Sequence, residues 1–250
     1  MLEWLTNFFE TLGFTRVGEQ LSFLLDPGTL PMALWETLYA PLTATVLAYL
    51  IGLPLGVILV TGEAEGIRPL PRGLMAVLNT VINLLRSIPF LILMVLVFPL
   101  SRLILGTTIG TAATIVPLTV AAAPYVARLV ESSLREMDRG IVEAAQSMGA
   151  STWQIVTRVM LPECKPGLIH GATNAVITIL SYGAMAGNIG GGGLGAISLM
   201  RGYSRGQTLV LYVAVILLVI LVQAIQSIGT ALAVKTDKRI THNEKRSKEL

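Results

Sequence analysis

Four stretches of this chain run for a membrane's thickness or more without an Asp, Glu, Lys or Arg. They are residues 37–62, 103–127, 166–200 and 206–234, and a fifth, 73–101, is broken only by Arg86. About 20 apolar residues in a row suffice to cross the hydrocarbon core of a bilayer. No water is available there, so every backbone N–H and C=O must be satisfied internally, which leaves helices or closed barrels. Uniform apolar runs, with no ten-residue alternation, select helices. Only 13% of the residues are charged and 53% are hydrophobic, against about 25% charged in a soluble domain. The expected fold class is an all-α membrane protein with about five transmembrane helices.

The basic residues orient it. Arg68 and Arg72 fall between the first two spans, Arg128, Arg135, Arg139, Arg158 and Lys165 between the third and fourth, and Lys235, Lys238, Arg239, Lys245, Arg246 and Lys248 after the fifth. That places thirteen on one side against four (Arg16, Arg102, Arg201, Arg205) on the other. Cytoplasmic loops carry the excess of Lys and Arg, so the N-terminus is expected outside and the C-terminus in the cytoplasm. The pI near 9.2 is thereby a topology signal, and no nucleic-acid partner is expected.

Three regions follow. Residues 1–31 carry four acids and one Arg, with Trp4, Leu5, Phe8, Phe9 and Leu12 at helical spacing. They read as an external N-terminal extension, either an amphipathic helix on the outer interface or an unordered tail. They do not read as a signal peptide, lacking a basic start and a continuous apolar core. Residues 32–234 form the transmembrane domain, and 235–250 a basic cytoplasmic tail. One cysteine, Cys164, excludes a disulfide within the chain, and His170 and His242 form no ligand pair, so neither a metal nor a cofactor is expected.

The longest cytoplasmic loop, 138–165, contains "EAAQSMGASTWQIVTRVMLP". A first helix is expected over 139–148, ended by Gly149 in a left-handed cap. A second opens with Ser151-Thr152-Trp153-Gln154, the Ser-x-x-Gln pattern of a capping box. Val156 with Met160, and Ile155 with Val159, make an apolar stripe that Trp153 extends, and Pro162 is expected to stop the helix. The spacing Glu143-Ala144-Ala145, three residues, Gly149, nine residues, Val159-x-Leu161-Pro162 resembles the EAA loop of ATP-binding-cassette importer permeases, with Val in place of Ile at 159. "IGLPLGVILV", "LLRSIPFLILM", "IVPLTVAAAPYVARLVESSLRE" and "GGGGLGAI" look like the methionine-importer branch of that family, over roughly residues 34–234.

The resemblance implies the type I importer permease fold and a homodimer of permeases in a prokaryotic inner membrane. It further implies two copies of a cytoplasmic ATP-binding subunit, and an external substrate-binding protein that delivers methionine. Glu143, Ala144, Ala145, Gly149, Trp153, Leu161 and Pro162 would then couple to the ATPase. The chain has no G-x-x-x-x-G-K-[ST] of its own, and the Gly-rich run 187–197 lacks a following Lys, so ATP hydrolysis is expected on the partner. The loop does not encode a substrate, so a permease for another amino acid or small nutrient is the alternative. An embedded enzyme would need clustered catalytic side chains in the spans, where no acid is expected and His170 stands alone.

Candidate pathway residues are Arg86, Asn174, Ser181 and Tyr182. If a helix starts at Gly73, Arg86 lies about 20 Å along it at 1.5 Å per residue. Its partners would be Asn79, Asn83, backbone carbonyls or a substrate carboxylate. Alternatively residues 73–85 lie at the cytoplasmic interface and the span begins after Arg86, with Pro89 in its first turn. Gly52-x3-Gly56, Gly106-x3-Gly110 and Gly183-x3-Gly187 allow close helix contacts.

Overall fold

A computed structural model describes residues 2–11 and 14–237, and among them every regular element is helical. In chain order they are α1 (Leu2–Thr11), α2 (Val17–Leu25), α3 (Thr29–Thr61), α4 (Arg72–Ser87), α5 (Phe90–Leu105), α6 (Ile115–Arg135), α7 (Arg139–Ser147), α8 (residues 152–163), α9 (Lys165–Ala186), α10 (residues 193–203) and α11 (Thr208–Thr236). A 3₁₀ turn, Thr111–Thr114, leads into α6. Four helices are long and apolar enough to cross a membrane: α3, α6 with its leading turn, α9 with its 3₁₀ extension, and α11. The pair α4 and α5 supplies a fifth if taken as one broken span.

The break within that pair lies at Ile88 and Pro89, both extended (ψ 126° and 135°). A residue before proline is pushed out of the α region, so the run 73–101 cannot be one helix. Arg86 therefore sits on the last turn of α4, exposed. A further expectation needs correction. Glu36 lies within α3 and Glu131 within α6, so the long helices do carry acids. The apolar windows mark where charges stop, but the helices continue past them.

Contacts within the chain divide it into two compact units. One comprises Met1–Thr45, Pro89–Val120 and Thr178–Gln223, the other Val46–Ile88, Ala121–Ile177 and Ala224–Leu250. In the first, the N-terminal segment is an integral part. Val17, Leu21 and Leu24 of α2 pack on Leu209 and Val210 at the start of α11. Gln20, 1% exposed, turns its Oε1 to the backbone N–H groups of Leu209 (2.8 Å) and Val210 (3.2 Å). The first amides of a helix have no partner within it, so α2 caps α11 from a distance. The Arg201 guanidinium lies 3.9 Å over the Phe23 ring. Similarly, Glu36 and Thr37 of α3 accept from the N–H groups of Gly193 (2.7 Å) and Leu194 (2.8 Å), the start of α10. Residues 2–11 and 17–25 are helical, and the first long helix begins at Thr29. Leu12 and the tail from Lys238, with His242, lie outside the described residues.

In the second unit α3 rides directly on α6. A Cβ at Gly52 would sit 2.7 Å from the Ala123 carbonyl oxygen, and one at Gly56 2.6 Å from that of Ala127. This is the close approach that small residues four apart permit. Leu59, Ile82 and Ala127 complete the packing, with Leu55, Met75 and Leu78 around them. Gly106 and Gly110 serve otherwise: both have positive φ (75° and 98°) with open space around them, so they make turns and not a helix contact. Of the long helices α6 is the most enclosed, 67% of its apolar window being buried against 17% for α11. α11 turns Val215, Ile216, Val219 and Ile220 outward as an apolar surface.

Candidate functional site

The segment 138–163 folds as a capped helical elbow. Asp138 opens α7, its carboxylate accepting from the Gly140 N–H at 2.8 Å. Gly149 (φ 76°) closes it. Its N–H donates to the Gln146 carbonyl (2.9 Å) and the Ala150 N–H to that of Ala145 (3.1 Å), the paired bonds of a Schellman cap. Two residues later the capping box is present in full. Gln154 Oε1 accepts from the Ser151 N–H (2.8 Å), and Ser151 Oγ from the Gln154 N–H (3.4 Å). With each end capped, the bend between α7 and α8 is set by hydrogen bonds and not by slack.

Pro162 does not stop α8. The helix continues through it to Glu163, and the Cys164 N–H still donates to the Met160 carbonyl at 3.0 Å. Residues Ile155–Met160 form a wider π turn, with the Leu161 N–H reaching Val156. A proline ring ordinarily clashes with the carbonyl four residues back. A turn widened just before the ring relieves that clash.

Burial sorts the elbow into two faces. Ala145, Ile155, Val156 and Met160 are buried, Val159 and Leu161 half-buried. Glu143, Ala144, Gly149 and Pro162 are exposed. Trp153 is not part of the buried stripe, being 74% exposed, and Met148 before the bend is 82% exposed. Large apolar side chains held outward on a rigid frame are what an interface core requires.

Beside the elbow lies a cleft of about 440 Å³, lined by Glu63, Glu65, Arg135, Arg139, Glu143 and Gln146 among others. Its charges belong to a chain of bonds along α6. Glu131, 7% exposed, accepts from Arg128 at 2.6 Å and from Arg135 at 2.8 Å. Arg135 also pairs with Glu63, in the turn after α3. Arg128 Nη2 donates to the side-chain oxygens of Asn79 (2.8 Å) and Asn83 (2.9 Å), one turn apart on α4. The Asn79 amide nitrogen donates to Met75 C=O (2.9 Å), which turns its oxygen toward Arg128. Glu131 is buried, but the Arg128 and Arg135 side chains are 21% and 48% exposed, so solvent screening takes these pairs well below the roughly 3–5 kcal/mol lost on breaking a fully buried one. The outlying pair Arg139–Glu65 (3.2 Å) has both side chains 81% exposed and contributes little by comparison.

The four candidate pathway residues are placed as follows. Arg86 lies in the last turn of α4, and its expected partners Asn79 and Asn83 are bonded to Arg128 instead. Asn174 and Ser181 are both exposed on α9. Tyr182 is half-buried and stacks on Phe90, ring centroids 4.5 Å apart. Sequence reasoning missed Glu63 and Glu131, counting Arg128 and Arg135 for topology alone. The available signal was Arg128-x2-Glu131-x3-Arg135, charges of opposite sign three and four apart on one helical stripe.

Residues 52–241 match the family described as "Binding-protein-dependent transport system inner membrane component". A probable D-methionine transport system permease protein MetI of Vibrio cholerae is 48% identical over 220 residues, 87% of this chain and 96% of its own length. The D-methionine transport system permease protein MetI of Escherichia coli K12 is 44% identical over 172 residues, 68% of this chain and 76% of its own. Among solved structures, an inward-facing conformation of the MetNI methionine ABC transporter superposes with TM-score 0.81 at 42% identity, covering 84% of this chain and 96% of that one.

Proposed function

This chain belongs to the family of binding-protein-dependent transport inner-membrane components, and from that premise we propose that it is the permease subunit of an ATP-driven methionine importer. The relatives it resembles over nearly their whole length are methionine permeases, which supports methionine over another amino acid. In this reading the helices form the substrate path, and a separate ATP-binding subunit hydrolyses ATP. Two permease copies pair in a prokaryotic inner membrane, N-terminus outside and C-terminus in the cytoplasm, with an external binding protein delivering substrate.

The observation that carries the coupling role is the elbow. Glu143, Ala144, Ala145, Gly149, Trp153, Leu161 and Pro162 lie in one stiff, capped segment whose outer face presents an acid and a 74% exposed tryptophan. A segment with both helix ends satisfied moves as a body and can push the helices it joins, α6 and α9. A slack loop would absorb the displacement. Closure of the ATPases would displace the elbow and open the path outward, and release would return it inward.

The test is co-purification with an ATPase subunit, followed by uptake in vesicles. The chain alone should hydrolyse no ATP, and the assembled complex should accumulate methionine only with ATP supplied on the side of the ATPase subunit. Glu143→Lys together with Trp153→Ala should abolish both assembly and uptake. Wild-type assembly and uptake in that double variant would refute the coupling role. Preferential uptake of a different nutrient from a panel would refute the substrate.

A further inference from the structure

The bonds along α6 suggest how motion at the elbow is passed on. Arg128, Glu131 and Arg135 fall three and four residues apart, so they share one stripe of α6. One carboxylate, Glu131, lies between the two guanidiniums. Through Arg128 it reaches Asn79 and Asn83 on α4, and through Arg135 it reaches Glu63 after α3. These contacts join residues 45 to 72 positions apart in the chain. Only Glu136–Asp138 separate α6 from α7, and Arg135, Glu63 and Glu143 line one cleft.

We propose that Glu131 is a positioning residue, resting on the permease reading above: it couples displacement of the elbow to α4 and to the turn after α3. Apolar contacts are non-directional. A guanidinium bonded at several defined directions is held more strictly, because each bond is lost with angle as well as distance. So α4 follows α6 as a body, or the bonds break together. With Glu131 neutral, Arg128 loses the carboxylate that orients it and Arg135 keeps only Glu63, so the bonds from α6 to α4 and to the turn after α3 are held less firmly and α6 carries its neighbours less completely. ATP would then be hydrolysed without equivalent transport.

The experiment uses the full chain with its ATPase and delivery protein in liposomes, measuring methionine transported per ATP hydrolysed. Glu131→Gln keeps shape and removes charge. It should still co-elute with the ATPase, while transport per ATP falls roughly tenfold, within the range usual for coupling between sites. Glu131→Asp should recover much of the ratio. Asn83→Ala, which removes one acceptor from Arg128 and touches no charge, should lower the ratio in the same direction but less. It carries the test if Glu131→Gln is poorly recovered. A wild-type ratio in both Glu131→Gln and Asn83→Ala overturns the proposal. So does a parallel fall of uptake and hydrolysis with the amount of complex recovered, which is what a purely structural role would give. A wild-type complex that shows no ATP-driven uptake overturns the permease reading itself, and this inference with it.

Discussion

Gln20 shows how much one side chain can hold. Its Oε1 serves two otherwise unpartnered amides of α11. Gln20→Leu keeps the bulk and leaves both buried, and each buried orphan costs about 1–3 kcal/mol. The variant should unfold in detergent at a lower temperature, with Gln20→Glu, which retains the acceptor, intermediate. Trp153 is the opposite case. At 74% exposure, Trp153→Ala should leave thermal stability within about 0.5 kcal/mol of wild type. Affinity for the ATPase should nonetheless fall tenfold or more, since exposed tryptophans are frequent hot spots. Gln20 could not be read from the sequence, since it works on a helix 189 residues away; Trp153 is named for coupling by the resemblance, but its exposure was hidden because its spacing fits the buried stripe equally well.

At the scale of the element, the legible features were the local ones. The capping box at Ser151 and Gln154, the left-handed Gly149 and the close approach at Gly52 and Gly56 each depend on a few residues near in sequence. Ser151→Ala should lower stability by about 1 kcal/mol. Gly56→Leu should do far more, since its Cβ alone meets the Ala127 carbonyl oxygen at 2.6 Å and the two helices must part to admit it. Thermal unfolding of the two variants side by side checks the order. What was not legible turned on a neighbouring turn or a distant helix. Pro162 reads as a stop unless the π turn before it is known. Gly106 and Gly110 match the packing pattern yet lie in turns. Asn79 and Asn83 could be offered to Arg86 only because Arg128 was not known to face them.

For the whole molecule, charge-free windows gave the number of apolar helices and their approximate places, because a charge placed within lipid is costly enough to be rare there. The ends of the helices were less legible, since α6 keeps its course past Arg128 and Glu131 once partners are supplied. The basic asymmetry predicts that a label at residue 3 reacts from outside the cell and that a reporter fused after Leu250 is active in the cytoplasm; the reverse pattern would remove the elbow from any cytoplasmic ATPase. The partners of α6 also lie in a particular order along the chain. Glu63, Asn79 and Asn83 all precede Arg128 and Arg135, so a ribosome completes these acceptors on other elements before it makes the arginines, and Glu131 follows within α6 itself. The charged end of α6 thus emerges when its acceptors on α4 and after α3 have already been synthesised.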